Sequence, residues 1–319
     1  MSPNAKGALL SLLAFAVYAS SDVVVKFLGA SYSPFQIIFF SVLFSFPLAM
    51  LLIMRDSTPG TLLPVHRWWM VARTAATLIT GASVFYAFTV LPLAQTYTIL
   101  FASPLLITLL AIPMLGEKIR IRRGLAVLVG LVGVLVVLRP GQTQLSLGHL
   151  AALIGAIGGS FASVIVRKIG PDERPVVLLL YPMVANFVVM GVLLPFVYQP
   201  MPIEHIGLVA LLAVLGSLGG IIIIAAYKTG EAVIVAPMQY SQIIWASFYG
   251  FIFFNESIDQ NTAIGAGIIM ASGLYIVLRE GRSGNSKTTP VLETRSRPET
   301  GTNLRTGLVM RMRGLPGRG

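Results

Sequence analysis

Acids, amides and cations embedded in apolar runs are the residues of this sequence that could do chemistry. In the first run Tyr18, Asp22 and Lys26 stand four residues apart, which sets them along one face of a helix. A charged group at bilayer depth is costly and marks function by default. The stripe either lines a polar cavity or braces itself through a local Asp22 to Lys26 pair near the outer boundary. A second group, Gln239, Tyr240, Gln242 and Trp245, follows Pro237, which interrupts regular helix hydrogen bonding. It is the preferred binding wall, the alternative being Gln amides that serve as glue between helices. Gln95, Thr96, Tyr97 and Thr98 open another run, and Pro104 repeats the interruption signal there. Tyr181 and Asn186 are further candidates for the wall, and each is equally suited to packing. Arg73, near the start of its run, is expected to snorkel to headgroups. Glu117 and Glu256 close two runs beside Lys118 and Ser257, and they read as joints between helices rather than as a catalytic acid pair.

The motifs of soluble catalysis are absent from the sequence. His66, His149 and His205 are isolated at run ends, there is no cysteine, and GxxxxGK[ST], GxSxG and HExxH do not occur. No catalytic residue, metal or cofactor is expected, and the chain is not read as an enzyme.

The elements that must hold these residues are membrane helices. Of 319 residues 55% are hydrophobic and 11% charged, where a soluble domain carries about 25% charged residues. Ten apolar runs cover residues 7–29, 34–54, 70–90, 94–115, 121–139, 146–166, 176–198, 204–226, 231–254 and 260–279, most of them near the ~20 residues that cross a bilayer. They lack the strict alternation of barrel strands, so helices are expected. The first run continues past any signal-peptide length without a small-residue cleavage site and is expected to be retained. Cations favour one set of connections, including Lys118, Arg120, Arg122, Arg123, Arg167, Lys168 and Arg174, while only Lys26 and Arg139 stand at ends on the other side. The positive-inside rule then places both termini in the cytoplasm of an inner-membrane protein. The net charge of +11 is concentrated in a tail: residues 279–319 hold nine of the 23 Lys and Arg and three of the 12 acids. Residues 281–319 read as a disordered basic tail beside the bilayer. A nucleic-acid partner is not expected, because no aromatic residues interleave with the tail's cations.

The halves repeat. An offset of 141 pairs Gly7 with Gly148, Lys26 with Arg167, Pro34 with Pro175 and Phe40 with Tyr181, while LGEKI at 115–119 matches FNESI at 254–258 and GVLVVLR at 133–139 matches GLYIVLR at 273–279. Short Gly- and Leu-rich matches also arise by chance, but these fall in the same order at both ends of each half. Five runs per half is an odd number, so the second repeat is inverted relative to the first. Residues 1–141 and 142–280 are the expected repeats.

The paired features are Ser103 and Pro104 leading to Gly116, Glu117 and Lys118, then Gly133 to Pro140, with Asn255, Glu256 and Val277 to Arg279 in the second half. Over residues 7 to 280 they resemble the ten-helix EamA-type members of the drug/metabolite transporter superfamily. The second half departs by carrying its proline earlier, at Pro237. The resemblance implies a secondary transporter of a small metabolite that rocks one repeat against the other. Within the family, LRPG at 138–141 with LSLGHLAAL, and APMQYSQIIW at 236–245, are similar to bacterial riboflavin importers. Ser21, Asp22 and the downstream Lys26 are similar to S-adenosylmethionine carriers. Riboflavin uptake is the first expectation, with its ring stacked on Trp245 or Tyr240 and Gln amides at its imide edge. Export or carriage of amino acids, S-adenosylmethionine-like metabolites or drugs is the second.

Overall fold

The computed structural model describes residues 2–54, 61–116, 121–140 and 145–282. Glu117 and the tail from residue 283 onward lie outside the described residues. All regular elements among the described residues are helical: α1 (Pro3–Gly29), α2 (Pro34–Met54), α3 (Arg67–Val90), α4 (Leu93–Leu100), α5 (Ser103–Leu115), α6 (Ile121–Leu138), α7 (Leu147–Ile169), α8 (Pro175–Val197), α9 (Ile203–Thr229), α10 (Ala232–Val235), a 3-10 turn (Ala236–Tyr240), α11 (Ser241–Phe254) and α12 (Gln260–Arg282). Among the described residues eight helical stretches, Leu93–Leu115 counted as one, are long and apolar enough to cross a membrane, and α2 is a further apolar helix. Large aliphatic and aromatic side chains face outward, among them Leu125, Leu128, Val132 and Leu135 on α6 and Phe248, Phe251 and Phe253 on α11. Apolar surface on this scale suits lipid and not water.

Local sequence explains the helix ends. Ser2 caps α1 by accepting from the Ala5 N–H, and Pro3 sits at the first position, where a missing N–H costs nothing. α5 ends on Gly116 with φ 70°, and α11 ends on Asn255 with φ 54°. Glycine and asparagine are the residues that accept this left-handed cap readily. Leu115–Gly116 and Phe254–Asn255 are thus two copies of one helix stop. Each half also breaks its fourth passage. Phe101 and Ala102 separate α4 from α5, with Pro104 in the first turn of α5; in the second half the 3-10 turn carrying Pro237 separates α10 from α11.

The two halves pack through each other. α1 lies along α9, α3 along α7, and α6 along α12, so every long seam joins a first-half helix to a second-half helix. Small residues permit this approach. A Cβ on Gly7 would lie 2.7 Å from the Gly230 Cα, and one on Gly148 would lie 2.5 Å from Val90 Cγ2.

Candidate functional site

Three passages meet around one buried carboxylate. Asp22, on the inward face of α1, is 1% exposed. The Tyr97 hydroxyl, in the first half of the broken passage, donates to Asp22 Oδ2. Gln242, one residue into α11, donates from Nε2 to the Tyr97 hydroxyl oxygen at 3.3 Å. Gln242 follows the 3-10 interruption directly, and Tyr97 lies one turn before the break at Phe101 and Ala102.

Aromatic rings pack around Tyr97, the hydrogen-bond partner of the carboxylate. Phe88 of α3 meets Tyr97 edge-on with centroids 5.3 Å apart, Phe101 lies 6.0 Å from Tyr97, and Tyr240 meets Phe101 edge-on at 5.1 Å. One turn before Asp22, the Tyr18 ring lies against Gly219 of α9, where a Cβ would come within 2.7 Å of the ring. A carboxylate in a low-dielectric interior, when ionised, favours cations over anions. A second cluster lies nearby on α11. Tyr249 accepts a hydrogen bond from Ser20 Oγ at 3.0 Å and stacks with Trp245 at 6.3 Å. The Trp245 indole N–H and the Ser241 hydroxyl are buried atoms with no hydrogen-bond partner among the described residues, two unspent donors one turn apart on α11.

Other candidates fall elsewhere. Gln95 is half-buried and pairs with His149 Nε2 at 3.0 Å, tying α4 to α7. Tyr181 packs beside Met70, Ile165 and Val177, at the seam of α3, α7 and α8. Asn186 is buried and returns its amide N–H to the Pro182 carbonyl of its own helix at 3.0 Å. Gln239 is half-buried in the 3-10 turn. Tyr240 directs its hydroxyl at Gly273 of α12, where a Cβ would lie 1.7 Å away. Arg73 corrects an expectation: its side chain is 4% exposed, with Nη1 4.0 Å from Met70 Sδ, so it is packed inside the bundle and does not snorkel. Lys26 is engaged by Glu256 at 2.6 Å. Phe88 and Phe101 were not among the sequence candidates. Phe101 was within reach of sequence reasoning, being four residues beyond Tyr97 on the same face, whereas Phe88 carries no signal that separates it from other apolar residues.

The profile of the EamA-like transporter family matches this chain twice, at residues 5–139 and 146–278. The chain belongs to the EamA-like transporter family. Its two matched segments are the two EamA repeats, and the protein is a multi-pass membrane transporter rather than an enzyme. Among relatives of this EamA protein, an S-adenosylmethionine uptake transporter of Rickettsia prowazekii is 28% identical over 280 residues, covering 86% of this chain and 94% of the relative. The pseudopaline exporter CntI of Pseudomonas aeruginosa is 25% identical over 269 residues, covering 83% and 94%. A solved crystal structure superposes with a TM-score of 0.59 at 18% identity over 88% of this chain and 100% of that one, which shows a common fold.

Proposed function

We propose that this EamA transporter crosses the membrane ten times, with both termini cytoplasmic, and takes up a cationic adenosyl metabolite of the S-adenosylmethionine type. The observation that carries the cargo reading is the buried Asp22, bonded by Tyr97, whose ring packs against Phe88 and Phe101. Such a site suits a sulfonium cation, for which the carboxylate supplies charge and the rings supply cation–π contact. The unpaired donors of Ser241 and Trp245 suit the acceptor nitrogens of a purine. The similarity to S-adenosylmethionine uptake transporters adds to this reading. Riboflavin, the first expectation from sequence, is uncharged and would gain from a buried carboxylate only a hydrogen-bond acceptor, and the relatives above are named for other cargo.

The test is uptake of labelled S-adenosylmethionine into proteoliposomes, competed separately by S-adenosylhomocysteine and by riboflavin. S-adenosylhomocysteine keeps the adenosyl and amino-acid parts and lacks only the methyl group that makes sulfur cationic. Saturable uptake is expected, with S-adenosylhomocysteine competing at least tenfold more weakly and riboflavin not competing. Equal competition by S-adenosylmethionine and S-adenosylhomocysteine would show that the site does not read the cation, and competition by riboflavin would restore the flavin reading.

A further inference from the structure

Directly over the Asp22 site, one helical turn nearer the end at which α1 finishes, the two repeats are fastened together. Lys26 stands in the last turn of α1 with its side chain 10% exposed, and its Nζ lies 2.6 Å from Glu256 Oε1. The same ammonium donates to the Leu91 carbonyl, in the short connection between α3 and α4. The second carboxylate oxygen of Glu256 accepts from the Leu93 N–H at 3.0 Å, which is the first residue of α4. Glu256 therefore binds the end of α11, a second-half helix, to the end of α1 and the start of α4, both in the first half. The local backbone is shaped for this. Asn255 takes the left-handed cap that turns the chain back, the Glu256 N–H bonds the Gly250 carbonyl at 2.9 Å, and the missing side chain of Gly250 leaves room for the carboxylate, since a Cβ there would lie 2.9 Å from Oε2.

Both arms of the site hang from this junction. Asp22 lies four residues before Lys26 on α1, and Tyr97 four residues after Leu93 on α4, so each is about 6 Å along its helix from the bond. We propose that Lys26, Glu256 and the Leu91 to Leu93 connection form the latch of the gate at this end, closed in the conformation described. For cargo to reach Asp22 from this side, α11 must part from α1 and α4, and that movement separates Glu256 from all its partners. The inference rests on Asp22 marking the translocation route, but on no particular cargo. Arg139 and Asp259 make a second ion pair across the halves, at the facing ends of α6 and α12. Those helices pack together along their length, so that pair belongs to the static frame and serves as a control.

The chain has no cysteine, which makes a single thiol an unambiguous reporter. Ser21→Cys places it beside Asp22; Ser21 is buried and its hydroxyl bonds only its own helix, at the Tyr18 carbonyl. The full chain carrying this thiol is treated with a membrane-impermeant maleimide from either face, in right-side-out and inside-out vesicles, without cargo. Glu256→Gln and Lys26→Met are each expected to raise the labelling rate from one face at least fivefold and lower it from the other. Lys26→Arg and Arg139→Gln are expected to leave both rates within twofold of the parent. Unchanged labelling in both Glu256→Gln and Lys26→Met would overturn the latch, as would equal increases from both faces, which report a loosened fold. Because no cargo is present, failure of the S-adenosylmethionine assay and failure of the latch are separate results.

Discussion

The seam of α1 with α9 and the seam of α7 with α3 are two copies of one construction, but the first buries an acid, Asp22, and the second a cation, Arg73. The offset of 141 places Asp22 on Ser163, Tyr18 on Gly159 and Lys26 on Arg167. Ser163 spends its hydroxyl on the Gly159 carbonyl at 2.8 Å, within its own helix. The counterparts of Tyr97 fall at Ala236 to Met238, which carry no hydroxyl. The counterparts of Gln242 fall at Phe101 to Ser103, none of them an amide, and the Ser103 carbonyl accepts from Ser160 Oγ at 3.2 Å. Both seams keep the crossed packing, the broken fourth passage and the left-handed stop, while Ser163 stands where the first seam has Asp22.

The sharpest way to break this comparison is to exchange the centres. Asp22→Asn removes the charge while keeping the shape. A hydrogen bond to a charged group contributes about 1.5–3 kcal/mol and a desolvated cation–π contact depends on the same site, so uptake at low cargo concentration is expected to fall roughly 100-fold or more, each 1.4 kcal/mol being tenfold. Ser163→Ala at the equivalent position is expected to change uptake less than about twofold, because Ser163 bonds only its own helix. Initial rates normalised to protein in the membrane check both. A loss at Ser163 as deep as that at Asp22 would mean that both seams carry cargo.

A smaller contrast separates the seams by packing. Gly7 faces the Gly230 backbone, with its added Cβ 2.7 Å from Cα and 2.8 Å from N, while Gly148 faces the Val90 and Leu91 side chains. Backbone cannot step aside and side-chain methyls can. Gly7→Ala is expected to destabilise by about 1–3 kcal/mol as overpacking does, and Gly148→Ala by less than half of that. Thermal unfolding in detergent gives the order directly, and the reverse order would contradict the close backbone approach.

Much of this frame was legible in the sequence. The apolar runs at 34–54 and 121–139 coincide with α2 and α6 to within one residue at each end, because a bilayer demands length and uniform hydropathy, which a window can read. Pro104 and Pro237 marked the passage breaks, since a missing N–H acts locally. Asp22, Tyr97 and Gln242 were each visible as polar residues in apolar runs, yet nothing local shows that three passages bring them together. Lys26 illustrates the limit. Its spacing from Asp22 left a cavity lining and a brace within one helix both open, and the structure takes its ammonium to Glu256, 230 residues away, where the second half folds back onto the first. Arg73 failed for a similar reason: a position near a helix start permits snorkelling, but the packing of α3 against α7 decides where the side chain goes.

Gln95 gives the smallest effect and the finest test of where the site ends. It precedes Tyr97 by two residues on α4, so its side chain leaves the helix on a different face, about 200° around. That face meets α7, where Gln95 bonds His149 Nε2 at 3.0 Å. His149 has a second partner in Ser146, whose hydroxyl lies 2.8 Å from Nδ1, so loss of the amide leaves the imidazole anchored. Gln95→Ala is expected to cost about 1 kcal/mol of stability, the usual net worth of one hydrogen bond, and to leave the concentration for half-maximal uptake within about twofold of the parent. Concentration-dependent uptake measured beside Tyr97→Phe, for which a roughly tenfold rise is expected, decides the matter. A rise in Gln95→Ala equal to that in Tyr97→Phe would extend the binding wall across α4 to the α7 seam and remove the asymmetry between the two halves.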